Sequence, residues 1–167
     1  MKKIFGIVLT VIAMVSMVST ASASDFYVTG NVANTHINNE SGSVNGGGVG
    51  VGYDVTSWLA AEVTYDYIGK EDGVTAQSAA VWAVVDPTVA TIASMPLKVT
   101  GRVGYARNKF ACCGGAIYDT GLAYGAGLAL GVTDNLDVTV GYTRREVTVG
   151  VSDFDLDTVN LGAKYSF

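Results

Sequence analysis

From about residue 26 onward, apolar residues alternate with polar or small ones over runs of roughly ten positions, and the pattern recurs about eight times with turn residues between. A period of two places successive side chains on opposite faces of a strand. The alternation predicts strands at about Phe26–Asn34, Ser43–Tyr53, Trp58–Ile68, Val74–Val85, Leu97–Asn108, Thr120–Val132, Leu136–Val147 and Leu156–Phe167. Repeated segments of this length and texture are the signature of a membrane β-barrel, in which lipid-facing and lumen-facing residues alternate. The predicted fold is therefore all-β, an eight-stranded antiparallel up-and-down transmembrane β-barrel.

The two faces differ in kind. In the sixth predicted strand Leu122, Tyr124, Ala126, Leu128, Leu130 and Val132 share one face, and Ala123, Gly125, Gly127, Ala129 and Gly131 the other. The third and seventh behave alike, with Leu59, Ala61, Val63, Tyr65 and Tyr67, and Leu136, Val138, Val140 and Tyr142, on the apolar side. Tyrosines near strand ends fit the aromatic girdles at a membrane interface. A soluble calyx would reverse this arrangement, and the glycine-and-charge face is too small and polar to line one.

The inward positions carry Glu62, Asp66, Lys98, Arg102, Asp137, Arg145 and Lys164. The bore of an eight-stranded barrel is filled by side chains, so opposite charges there are expected to pair rather than to line an ion path. Inward glycines in the run from Gly46 to Gly52 are expected to make room for large side chains from facing strands. The same run contains a GxGxxG-like spacing, but no helix is predicted after it, as phosphate binding would require.

Connection lengths orient the barrel, because short turns face the periplasm and longer loops the exterior. Asp54-Val55-Thr56-Ser57 and Thr133-Asp134-Asn135 read as short turns. His36 to Gly42, Gly69 to Gly73, Lys109 to Asp119 and Thr148 to Asp155 read as external loops. The stretch from Asp86 to Pro96 should be a periplasmic turn, yet it is long and apolar. Pro87 and Pro96 argue against a central strand there, leaving a short helix or a shifted fourth strand.

Ahead of the alternation stand Met1, Lys2 and Lys3, an apolar run to about Val18, and Ala21-Ser22-Ala23. These are the charged, apolar and small-residue regions of a secretory signal. Residues 1–23 are thus expected to be removed, leaving a single barrel domain over 24–167. A membrane-anchoring helix needs about 20 apolar residues, and no later run reaches even 18. Loss of Lys2 and Lys3 takes the formal charge from −5 to −7, which argues against nucleic acid as a partner. The adjacent Cys112 and Cys113 are the only cysteines. As a vicinal thiol pair they cannot staple distant strands, and a strained ring, free thiols and bonds to a second chain stay open.

The chain ends Leu161-Gly162-Ala163-Lys164-Tyr165-Ser166-Phe167. This resembles the terminal strand of bacterial outer-membrane proteins, and segments such as Lys98 to Tyr105 resemble the strands of the OmpA/OmpX-like and opacity-protein superfamily of small barrels. The resemblance implies a Gram-negative outer-membrane location among lipid and lipopolysaccharide, with Tyr165 and Phe167 as an assembly signal. It also implies periplasmic chaperones and the barrel-assembly machinery as partners in biogenesis.

Chemistry is sparse. A serine hydrolase needs a base beside its nucleophile, and His36 is the only histidine. No triad, catalytic residue or cofactor is therefore assigned. Asp153, Asp155 and Asp157 alternate onto one face, but their spacing is not that of a closed calcium loop, and no metal is assigned. The expected role is non-enzymatic, adhesion or envelope integrity through external loops that contact host surfaces, other cells or lipopolysaccharide, with a small channel as the alternative and, behind it, a lipid-A-modifying enzyme or a soluble lipocalin-like binder.

Overall fold

The computed structural model describes residues 25–37, 43–71, 73–112, 115–149 and 152–167. The expected signal segment, residues 1–23, lies outside them. Nine strands are described: β1 (Phe26–Ile37), β2 (Ser43–Thr56), β3 (Leu59–Glu71), β4 (Val74–Val85), β5 (Thr88–Ile92), β6 (Met95–Cys112), β7 (Gly115–Gly131), β8 (Leu136–Val149) and β9 (Ser152–Ser166). Each long strand pairs antiparallel with its sequence neighbours, β1 pairs with β9, and β4 pairs with β6 past the short β5. Eight long strands thus close a barrel with no free edge along its wall, which satisfies the backbone groups that lipid cannot. No helix among the described residues is long and apolar enough to cross a membrane.

Exposure follows the alternation. Val63, Tyr65, Leu122, Leu128, Val138, Val140, Val159 and Leu161 are exposed, while their strand neighbours Glu62, Thr64, Ala123, Ala129, Asp137 and Thr158 are buried. Two aromatic belts bracket this band. Phe26 packs edge-on against Tyr53, and Tyr165 against Phe167, at the end where the chain termini meet. Tyr65, Tyr67, Tyr105, Tyr124 and Tyr142 ring the other end. An apolar band between aromatic girdles matches a lipid-facing wall.

The stretch from Asp86 to Pro96 is neither a helix nor a shifted strand. It forms the lower part of a hairpin, in which Thr88 pairs with Lys98 and Ile92 with Met95 around a two-residue turn at Ala93 and Ser94. The prolines are tolerated because of where they sit. Pro87 lies just past the last β3–β4 pair, Leu59 with Val85, so its missing N–H is not needed by β3. Pro96 lies just beyond Leu97, where the β6–β7 pairing begins.

Two of the expected external loops also differ from the structure, while most of the one expected from His36 to Gly42 lies outside the described residues. Lys109 to Asp119 and Thr148 to Asp155 are mostly strand, with β6–β7 pairing continuing to Cys112 and Gly115 and β8–β9 pairing to Val149 and Ser152. Polar side chains broke the alternation in sequence, but backbone pairing does not require an apolar face. The outer rim is consequently built of tall hairpins, and among the described residues the β7–β8 pairing stops lower, at Ala123 with Arg145.

Candidate functional site: a filled lumen and a charged outer rim

Small inward residues determine which side chains can cross the bore. A Cβ on Gly52 would strike the Tyr27 ring, and one on Gly48 the Asp66 carboxylate. Gly125 separates Arg102 on β6 from Thr143 on β8, and a Cβ there would crowd both. Arg102 therefore reaches across β7 to donate to the Thr143 hydroxyl.

The seven inward charges fall into four groups. Lys98 Nζ lies 2.8 Å from Asp137 Oδ2, Arg102 Nη1 3.9 Å from Glu62 Oε1, and Arg145 Nη2 2.6 Å from Asp66 Oδ2. Lys164 Nζ stands 3.2 Å from both Asp54 Oδ1 and Asp86 Oδ2 and 3.9 Å from the Tyr27 ring centroid. Asp54 and Asp86 were absent from the sequence reading of the interior. Both continue the inward parity of their strands, Asp54 after Gly48, Gly50 and Gly52 and Asp86 after Ala80, Trp82 and Val84, but each falls in a stretch whose residues read as a turn, and their partner Lys164 is distant in sequence. Trp82 lies under Arg102 at 4.9 Å and donates from Nε1 to Thr64.

Toward the rim the bore becomes apolar. Val44, Ile68, Val147 and Leu156 cluster there, with Ala76 and Phe110 packed against them. Beneath this layer two small cavities are present. One, of about 90 Å³, is lined in part by Tyr27, Glu62, Asp86, Arg102 and Lys164. The other, of about 10 Å³, touches Asp66, Arg102 and Arg145.

The outward face at the rim has its own charges. Arg144 Nη2 lies 3.2 Å from Asp155 and its Nε 2.9 Å from Asp157, which also accepts from Tyr142 Oη at 2.6 Å. The Asp153 side chain is outside the described residues. No group of three or more His, Cys, Asp or Glu residues able to hold a metal occurs among the described ones. Register places His36 opposite Ser43 on one side and Asp157 on the other, a juxtaposition the sequence could not reveal because it spans three strands. Ser43 Oγ accepts from Asn34 Nδ2 at 3.5 Å, and Asp157 is engaged by Tyr142 and Arg144. Cys112 is an exposed free thiol near the β6–β7 tip, and Cys113 lies outside the described residues. Tyr165 lies outward on β9, and the Phe167 N–H donates to Phe26 O at 3.1 Å across the closure.

The family model of the outer membrane protein beta-barrel domain matches residues 7–167. No functionally curated protein matches the sequence. Among solved structures, Neisserial surface protein A superposes with a TM-score of 0.63 at 20% identity, covering 85% of this chain and 97% of that one. The N-terminal β-barrel domain of Pseudomonas aeruginosa OprF gives 0.60 at 15% identity, covering 83% and 97%. The outer membrane protein OprG of the same organism gives 0.56 at 13%, covering 87% and 96%. At these identities the likeness is one of fold.

Proposed function

Because this chain belongs to the outer membrane protein β-barrel domain family, we propose that it is a non-enzymatic protein of the bacterial outer membrane that acts through the hairpins at its outer end. The observation that carries this reading is the filling of the bore. Ion pairs and an apolar layer occupy the lumen, so the surface left for recognition is the rim. Strands that rise as tall hairpins present that surface on a rigid scaffold.

Biogenesis follows from the same premise. Residues 1–23 direct export and are cleaved, periplasmic chaperones carry the chain, and the barrel-assembly machinery reads Tyr165 and Phe167. Exchanging residues 111–117 for a Gly-Ser linker of equal length should abolish adhesion of expressing cells to host-cell or lipopolysaccharide-coated surfaces while folding persists. Unchanged adhesion to every surface would refute the adhesive role. The row of Ser43, His36 and Asp157 gives a direct check on the non-enzymatic reading: a fluorophosphonate probe should leave Ser43 unlabelled, and labelling lost in His36→Ala would contradict it.

A small channel is the second reading, favoured by the cavity beside Glu62, Arg102 and Lys164. Ionic currents in a planar bilayer that change with Arg102→Ala or Glu62→Ala would support it, and a silent bilayer would not.

A further inference from the structure

The outer rim is electrostatically lopsided. On the β8–β9 side Arg144 is neutralised by Asp155 and Asp157. On the β6–β7 side Arg107 and Lys109 alternate outward immediately above exposed Tyr105, and neither is ion-paired among the described residues. Both converge on one ring: Arg107 Cζ lies 4.9 Å and Lys109 Nζ 5.9 Å from the Tyr118 centroid. Register extends the row across the wall, with Gln77 on β4 opposite Lys109 and Tyr67 on β3 opposite Gln77.

Position selects the ligand. Tyr105 marks the upper aromatic girdle, and Arg107 stands two residues, roughly 7 Å of strand, above it. That height is where headgroup phosphates of the facing leaflet lie. Arginine offers a planar fork suited to phosphate oxygens, lysine adds a second charge, and an aromatic ring held by both keeps the pair together.

We propose that Arg107 and Lys109, positioned by Tyr118, bind a phosphate of an outer-leaflet glycolipid. The inference rests on the outer-membrane reading, but the test is made on protein already folded in a bilayer, so its failure would leave that reading intact. The folded barrel is placed in phosphatidylcholine nanodiscs containing either bis-phosphorylated or dephosphorylated lipid A. Lipid retained after detergent extraction is then counted by mass spectrometry.

Retention of the phosphorylated lipid should exceed that of the dephosphorylated one, and should fall on the order of tenfold in Arg107→Gln/Lys109→Gln. Arg144→Gln should leave retention unchanged. Both variants should keep the heat-dependent gel shift of a folded barrel, since the exchanged groups point away from the bore. Equal retention of the two lipids, or wild-type retention by the double variant, would overturn the proposal. So would displacement by millimolar inorganic phosphate, which would make this a site for free anions rather than for lipid.

Discussion

Gly52 and Tyr27 show how single positions shape the bore, since a side chain on the one would occupy the space of the other. Gly52→Val should lower stability by about 1–3 kcal/mol through overpacking, read as an earlier urea midpoint in micelles. Gly30→Ala, which meets nothing within 4 Å, should leave that midpoint nearly unchanged. The Arg145–Asp66 pair makes a sharper case, because the Arg145 side chain is 4% exposed and Asp66 14%. Removing one partner leaves a charge buried without its counter-ion, so Arg145→Met should cost about 3–5 kcal/mol. Adding Asp66→Asn should recover a large part of that loss, and the same urea titration of both variants decides it. Alternation was enough to name the seven inward charges as candidates. It could not give their partners, because Lys98 with Asp137 and Arg102 with Thr143 meet across an intervening strand whose inward residues are small.

Hairpins carry the next level of organisation, and the β5–β6 hairpin is the one the sequence concealed. Its turn places two non-glycine residues in the left-handed region, Ala93 at φ 49° and Ser94 at φ 71°. Hairpins with two-residue loops favour Asn-Gly there, because both positions need positive φ. Ala93→Asn/Ser94→Gly should therefore stabilise the barrel by about 1 kcal/mol, seen as a higher midpoint in the same titration; an unchanged or lower midpoint would contradict the turn assignment. Pro87 and Pro96 argued against strand here only because a proline's cost depends on whether a neighbour needs its N–H, and neighbours are a matter of register. At the opposite end the polar stretches after Asn108 and Val147 read as loops for a related reason. Once a hairpin rises above the apolar band both its faces meet water, and the alternation that reports strands fades while the backbone ladder continues.

At the scale of the whole molecule the protein is a closed wall with an apolar exterior, a lumen filled by ion pairs and capped by Val44, Ile68, Val147 and Leu156, and a charged rim. The wall was legible from sequence because one physical constraint, lipid outside and side chains inside, acts on every residue of every long strand. The rim was less so, since its polar residues gain partners only through register, within hairpins for Arg144 with Asp157 and for Lys109 with Tyr118, and across the closure of β1 on β9 for His36 with Asp157. The wall is also the claim on which every other assignment depends, and it is tested most directly by gel mobility of the protein extracted in mild detergent from isolated outer membranes. The unboiled protein should migrate apart from the boiled form, as a folded barrel that resists detergent until heated. A single mobility before and after boiling, with the protein recovered in the soluble periplasmic fraction, would contradict it.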